Sequence, residues 1–113
     1  MRFMFLATED NRMQFMHILL NALHFHESGH ETAVVLECAA PKLLIALDDG
    51  SFKLPLFDKA LEHGIINHAC RACSTTFSAI EAAERLGVSL DGPLHGHTNL
   101  LSFVEQGFSI IRF

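Results

Sequence analysis

The sequence has no tryptophan and no tyrosine, and all ten large aromatic side chains are phenylalanines. The aromatic platforms on which single-stranded nucleic acids usually stack are therefore not evident. The eight lysine and arginine residues are scattered along the chain, and the formal net charge is −5. Because nucleic-acid binding normally requires a basic patch or stripe, we predict no nucleic-acid partner.

Long hydrophobic runs are also absent, since no segment approaches the ~20 apolar residues that a membrane span needs. The apolar start of the chain is followed at once by Glu9 and Asp10, with no cleavage site, so we interpret it as a first strand and not as a signal peptide. There are only three cysteines, an odd number. This favours reduced thiols in the cytoplasm over a disulfide framework.

Half of the 113 residues are nevertheless hydrophobic, which is a large share for a domain of this size. The helix predicted over residues 11–28 is apolar except for one narrow stripe. The polar stripe consists of Asp10, Gln14, His17, Asn21, His24 and Ser28. A helix that packs only on its own core needs an apolar face of ~100°, and this face is wider. We therefore expect a homo-oligomer in which this helix contacts a second subunit.

Strand and helix patterns alternate along the whole chain. Strands are predicted over residues 2–8, 31–38, 65–69 and 108–113, with a very short one over 88–90. Helices are predicted over residues 11–28, 41–47, 56–63, 75–86 and 98–106, with Asp10 and Thr98 capping the first and last of them. This alternation predicts an α/β protein, a single domain over 1–113, with a three-layer α/β/α sandwich around a mainly parallel sheet of four to five strands.

The most informative stretch is the Cys-x-x-Cys pair, Cys70 and Cys73, which follows the third predicted strand. Sites of open α/β sheets lie beyond the carboxyl ends of the strands, where Cys70 is placed. A helix start beside Cys70 is expected to lower its pKa from ~8.5 and to favour the thiolate. His68 is predicted to share a face with Cys70, Arg71 is adjacent, and Cys73 could resolve an oxidised Cys70 as a disulfide. The alternative is a buried, inert cysteine pair.

A metal site is a second interpretation of the same edge, because thiolates and imidazoles are the ligands that zinc prefers. The candidate zinc ligands are Cys38, Cys70, Cys73 and His68, with His95 or His97 from the last loop. A thioredoxin-like oxidoreductase would also use a Cys-x-x-Cys motif, but there the motif follows an early strand and not the third.

The order and spacing of several segments resemble the DsrE-like family (DsrE/DsrF/DsrH, YchN-like). The matching segments are the first strand, the helix that ends at Ser28-Gly29-His30, the strand with Val34-Val35-Leu36, the lead-in Leu61-Glu62-His63-Gly64-Ile65, the site Ala69-Cys70-Arg71-Ala72-Cys73, and the ending Gly107–Phe113. The resemblance implies a five-stranded α/β/α fold, assembly as a trimer or hexamer, and sulfur relay by a cysteine persulfide. By position, Cys70 matches that cysteine. The strand order of the family also implies that Cys38 lies near Cys70.

Three hypotheses follow. The first is a sulfur carrier in which Cys70 bears a persulfide, Cys73 resolves or supports it, and His68 or Arg71 stabilises the thiolate. Its partners would be a sulfur-donor or sulfur-acceptor protein. The second is a non-enzymatic domain that binds a metal or a small ligand at this edge. The third is a structural oligomer with incidental cysteines. The sequence does not decide whether the protein is an enzyme, and no organic cofactor is predicted.

Overall fold

Five parallel strands form one sheet in a computed structural model that describes residues 1–113. The strands are β1 (Arg2–Ala7), β2 (Glu31–Leu36), β3 (Ile66–Cys70), β4 (Leu90–Asp91) and β5 (Phe108–Arg112). Their order across the sheet is β4-β3-β2-β1-β5, and every neighbouring pair is parallel. The predicted sheet is confirmed at its upper estimate of five strands.

Helices cover both sides of this sheet, which confirms the α/β sandwich. They are α1 (Arg12–Glu27), α2 (Lys42–Asp49), α3 (Pro55–Glu62), α4 (Arg71–Thr76), α5 (Ile80–Leu86) and α6 (Leu100–Glu105). None of them is long and apolar enough to cross a membrane. Most strand and helix boundaries differ from the predicted ones by one to three residues, as helix and strand ends commonly do.

The two faces of the sheet bury very different amounts of apolar surface. One face, with α1, α2, α3 and α5, forms a core cluster of 19 buried residues that includes Phe5, Phe15 and Phe57. The other face forms a cluster of five buried residues, among them Met4 and Leu6, against which side chains of α6 pack. Alternate residues of β1 enter the two clusters, as the period of two in a strand requires. The second face is therefore much more thinly covered.

Several large apolar side chains remain exposed. On α1, Met13 is 70% and Leu20 is 52% exposed, and on α6, Leu101 is 63% and Val104 is 53% exposed. The buried stripe of α1 consists of Phe15, Ile18, Leu19, Ala22 and Leu23. The second apolar face that the sequence predicts for this helix thus lies in solvent in the single chain.

The predicted helix caps were wrong by one residue at both positions. Asn11, and not Asp10, caps α1, since its Oδ1 accepts a hydrogen bond of 2.9 Å from the backbone N–H of Gln14. At α6 the cap is Asn99, whose Oδ1 accepts from the N–H of Ser102, and not Thr98. Asparagine and aspartate are near-equal caps, so spacing alone does not separate neighbouring candidates.

The helix predicted over residues 75–86 is in fact two short helices, α4 and α5, and the first begins immediately after Cys70. The backbone breaks at Phe77–Ala79, where Ser78 adopts a left-handed φ of 57°. The hydroxyls of Thr75 and Thr76 donate 3.0 Å bonds to the carbonyls of Arg71 and Ala72. Hydroxyls that bond back in this way weaken a helix, which is consistent with its end after one and a half turns.

Candidate functional site

Two cysteines and one histidine converge at the carboxyl end of β3. Cys70 is the last residue of β3 and is fully buried, whereas Cys73 in the first turn of α4 is half-buried and His97 is exposed. The Sγ atoms of Cys70 and Cys73 lie 3.6 Å and 4.0 Å from Nδ1 of His97. All three atoms lie within 4.8 Å of one another. The structure therefore joins the predicted Cys-x-x-Cys pair to one of the two loop histidines.

The direct passage from strand to helix positions the two thiols. Cys70 precedes α4 with extended dihedrals, φ −59° and ψ 124°, and the helix starts at Arg71. Three residues make nearly one helical turn, so the side chain of Cys73 returns to the side of Cys70. The helix supplies this spacing only because it begins at once and not at residue 75.

His97 is held in place by a loop with many internal hydrogen bonds. The N–H of His97 donates to the carbonyl of Leu94 at 2.8 Å, and the N–H of Gly96 donates to that of Gly92 at 3.0 Å. The carbonyl of Gly96 accepts from the N–H of Ala72 in α4 at 2.9 Å, which attaches the loop to the helix of Cys73. The loop is therefore fixed against the site.

Gly92 is required where this loop closes. A Cβ atom at position 92 would lie 2.2 Å from the carbonyl oxygen of Gly96, far inside van der Waals contact. Because that oxygen belongs to the backbone, it cannot move without shifting the loop. Residues 91–97 can take this path to the thiols only with glycine at position 92.

His68 lies on the same strand as Cys70, but its side chain forms hydrogen bonds with other residues and not with the thiols. Its Nδ1 lies 2.7 Å from Oδ1 of Asn67, and its Nε2 lies 2.8 Å from Oγ1 of Thr98. Since Asn67 Oδ1 can only accept, Nδ1 carries the proton and the Thr98 hydroxyl donates to Nε2. Burial lowers the pKa of His68, although the charge of Asp91 opposes this shift. A neutral His68 thus anchors the loop, and the imidazole next to the sulfurs is that of His97.

The other predicted site residues lie at the margin of the cluster. Arg71 is exposed and donates a 3.3 Å hydrogen bond to the carbonyl of Leu90 in β4. Cys38 is exposed, and its backbone N–H donates to Sγ of Cys73 at 3.2 Å, so Cys38 lies beside the pair. His95 is exposed and forms no hydrogen bond through its side chain. The structure therefore selects His97 over His95.

Comparison with known proteins places the chain in a family. No family model matches the sequence. The uncharacterized protein MJ0733 of Methanocaldococcus jannaschii is 31% identical over 111 residues, which cover 96% of this chain and 87% of that protein. The chain belongs to the family of MJ0733. A structure of a conserved protein of unknown function, BT1422 from Bacteroides thetaiotaomicron, superposes with a TM-score of 0.71, covering 99% of this chain and 94% of that one at 20% identity. That likeness shows the fold.

Burial raises the pKa of two thiols at the site, Cys73 and Cys38. Burial and then the hydrogen bond with Cys70 raise the pKa of Cys73 to about 11. Cys73 therefore keeps its proton near neutral pH and can donate it to the sulfur of Cys70. Burial, followed by the nearby charges of Glu37 and Cys70, raises the pKa of Cys38 as well.

Two charged residues near the cluster were missed by sequence reasoning. Burial raises the pKa of Glu37, and the charges of His97 and Arg112 oppose that shift, so both side chains lie near this carboxyl group. Glu37 adjoins Cys38 at the end of β2, which is a signal that could have been used. Arg112 lies in β5, two strands away from β2, and nothing in the local sequence indicates its proximity.

Backbone strain is concentrated around the same site. Three residues other than glycine have a positive φ, namely Cys38 (55°), Ser78 (57°) and His95 (51°). Cys38 and His95 flank the cluster on two different loops, and Ser78 follows the helix of Cys73. Such conformations persist only where the surroundings enforce them, and they are enriched at functional sites. Two buried hydroxyls at this edge, Thr8 Oγ1 and Ser74 Oγ, also have no hydrogen-bond partner in the chain.

Proposed function

We propose that this protein is a sulfur carrier in which Cys70 holds a persulfide. The observation that supports the proposal is the convergence of Cys70 Sγ, Cys73 Sγ and His97 Nδ1 within 4.8 Å at the carboxyl ends of the strands. A thiol flanked by a proton donor and an imidazole can be activated as a nucleophile. The resemblance of the sequence to DsrE-like sulfur-relay proteins points to the same chemistry.

The loading step is a thiol exchange. The Cys70 thiolate attacks the terminal sulfur of a donor persulfide, a bond forms between Cys70 Sγ and that sulfur, and the donor S–S bond breaks with departure of the donor thiolate. Unloading is the same reaction with an acceptor thiolate attacking the outer sulfur of Cys70. One sulfur atom moves in each step, and no external oxidant or reductant is needed.

His97 and Cys73 have separate roles in this exchange. His97 can take the proton of Cys70, because its Nδ1 lies 3.6 Å from Sγ of that residue. Cys73 stabilises the charged sulfur by donating its S–H, which fits its raised pKa of about 11. Once deprotonated, Cys73 can attack the inner sulfur of the Cys70 persulfide, form a Cys70–Cys73 disulfide and release hydrosulfide. A thiol reductant then restores both cysteines.

Access to Cys70 requires movement, because the residue is fully buried. The obstructing segment is the loop with Gly96 and His97, whose carbonyl and imidazole lie 3.9 Å and 3.6 Å from Sγ of Cys70. A donor that displaces His97 would reach the thiol. We therefore propose a donor or acceptor protein that rearranges this loop on docking.

The same resemblance supports a cytoplasmic homo-oligomer, a trimer or a hexamer. Exposed Met13 and Leu20 on α1 provide apolar surface for such contacts. Sedimentation velocity should show a species several times the 12.6 kDa of one chain. A monomer at all concentrations would contradict this part of the proposal.

Intact-mass spectrometry after treatment with a polysulfide donor tests the carrier function. We expect the reduced wild-type protein to gain one sulfur atom on Cys70, and Cys70→Ser to gain none at that position. Cys38→Ser is the matched control and should still load, since Cys38 is the exposed thiol beside the pair. Cys73→Ser should load and hold its sulfur longer, because the resolving thiol is gone.

The exposed Cys38 could also react with polysulfide, so the modified residue is located by peptide mapping. Loading at Cys38 alone, or equal loading of the wild type and Cys70→Ser, would overturn the proposal. Circular dichroism of each variant distinguishes a lost thiol from a lost fold.

A further inference from the structure

We propose that Cys70, Cys73 and His97 form a three-ligand site for one zinc ion. The set is narrower than the one the sequence suggests, because Cys38, His68 and His95 are absent from it. Two thiolates with one imidazole suit zinc among the common biological metals. This inference is independent of sulfur carriage, and either can hold without the other.

The spacing of the ligand atoms fits a tetrahedral ion. With Zn–S of about 2.3 Å and Zn–N of about 2.0–2.1 Å, a tetrahedral centre places sulfur and nitrogen ligands about 3.6 Å apart and two sulfurs about 3.8 Å apart. Nδ1 of His97 lies 3.6 Å from Sγ of Cys70 and 4.0 Å from Sγ of Cys73. Both S···N distances are therefore within about 0.4 Å of the tetrahedral value, and the two sulfurs lie within 4.8 Å of each other.

Hydrogen bonds around the site hold its ligands in place. The N–H of Cys38 donates to Sγ of Cys73 at 3.2 Å. The loop that holds His97 is fixed to α4 by the bond between Ala72 and Gly96 and to β3 by the bond between His68 and Thr98. Outer contacts that fix ligands in this way are typical of metal sites. Binding would release the two thiol protons to solvent.

The fourth position of the ion would face solvent. His97 is exposed and Cys73 is half-buried, so the cluster is open on that side. His68 cannot supply the fourth ligand, because both its ring nitrogens are hydrogen-bonded to Asn67 and Thr98. A site with three protein ligands and one open position can bind water or a small thiolate. An occupied site would also block sulfur loading, since the same thiolate cannot serve both.

Cobalt titration of the anaerobic, reduced protein tests the site, because cobalt substitutes for zinc and reports thiolate ligands through charge-transfer absorption. We expect about one ion per chain, with tetrahedral and thiolate bands that zinc abolishes on addition. His97→Ala should lower the affinity by at least the roughly tenfold seen when outer contacts of a metal are lost. His95→Ala, two residues away in the same loop, is the matched control and should leave it unchanged.

Other outcomes contradict the proposal directly. The absence of thiolate bands would refute it, even if metal were retained, because eight histidines provide other ligands. One competing pair is His26 and His63, with ring centroids 5.2 Å apart, and His63→Ala identifies binding there. A loss in Cys38→Ser as large as that in Cys73→Ser would show that the ligand set is wrong. Sulfur loading is measured separately by mass, so failure of one function does not imply failure of the other.

Discussion

At the carboxyl edge of the sheet, the ligand atoms of Cys70, Cys73 and His97 converge within 4.8 Å. At the amino edge, His26, His30 and His63 instead line an open cleft of about 560 Å³. The amino-edge cleft is the largest on the molecule, yet its groups do not converge on one point. Its histidines form a ring contact, His26 with His63, and a 3.4 Å contact between His30 and the N-terminal amine.

The two edges also differ in how their polar groups are held. At the amino edge the main interaction is the ion pair between Arg2 and Glu31, whose side chains are 39% and 57% exposed. At the carboxyl edge, buried His68 and Thr98 hold the loop of the site. Cavity size therefore favours the amino edge as a site. The convergence of reactive side chains on a fixed backbone favours the carboxyl edge. We place the candidate functional site by convergence.

The largest expected contrast is between two glycines. Gly92→Ala at the carboxyl edge would bring a Cβ atom 2.2 Å from the Gly96 carbonyl, so we expect a loss of about 3 kcal/mol in the free energy of unfolding. Gly64→Ala lines the amino-edge cleft, meets nothing within 4 Å and suffers only from its φ of +69°, at a cost of about 1 kcal/mol. Urea denaturation measures the free energy of unfolding of both variants. Equal losses would mean that the loop of residues 91–97 can shift to accommodate a side chain at position 92.

A matched pair of threonines gives the next contrast. Thr98→Val leaves Nε2 of the buried His68 without a donor, which we expect to cost about 2 kcal/mol. Thr32→Val at the amino edge removes a 3.1 Å bond to the carbonyl of His30, which solvent can replace, so we expect less than about 1 kcal/mol. Thr98→Val should also weaken sulfur loading by freeing the loop of His97, whereas Thr32→Val should not. The reverse order would show that the His68–Thr98 bond does not anchor the site.

A smaller effect on the free energy of unfolding should appear at acidic pH. Burial lowers the pKa of His68 below its usual value of 6.5, so the unfolded chain binds a proton there before the folded chain does. Stability should therefore fall as the pH decreases through and below ~6.5, and it is retained above that value. His68→Gln should flatten this dependence in urea titrations at several pH values. Thr98→Val retains the imidazole of His68 and should therefore retain the pH dependence of stability. If that variant lost the pH dependence, a group other than His68 would be responsible for it.

The smallest effect concerns Cys73 in alkali. Its pKa is raised from 9.0 to about 11, so between these values the unfolded thiol has lost its proton while the folded one retains it. The folded state thus binds more protons in this range, and stability should fall as the pH rises from 9 towards 11. Partial exposure of the residue limits the size of the effect. Cys73→Ser should remove this component, and an unchanged pH profile in that variant would contradict the assignment.

The fold could be predicted because its signals are local and periodic. Continuous apolar runs such as Val34-Val35-Leu36, and their alternation with helical patterns, are typical of parallel strands. Both patterns can be recognised in the sequence without knowledge of tertiary contacts. The break at Ser78 could not be predicted in the same way. Apolar periodicity continues on both sides of it, whereas the helix ends through hydroxyl bonds to the backbone.

The site could be predicted only in part, for the same reason. Cys70 and Cys73 are three residues apart in the sequence, so their proximity follows from one helical turn. The choice of His97 over His95 and His68 depends on loop closure between Gly92 and Gly96 and on Thr98 binding His68. Thr98 illustrates why such contacts cannot be predicted from local sequence. Its position suggests a helix cap, whereas its hydroxyl forms a hydrogen bond with His68, 30 residues earlier.

The break between α4 and α5 has a mechanical consequence for the thiol pair. Ala82 and Ala83 of α5 are packed in the large core, whereas α4 has one buried residue, Ser74, and carries Cys73 on six residues. A continuous helix would transmit any rotation of Cys73 to that core. The left-handed turn at Ser78 separates the two segments, so a rotation of α4 during formation of a Cys70–Cys73 disulfide would not have to disturb the packing of α5.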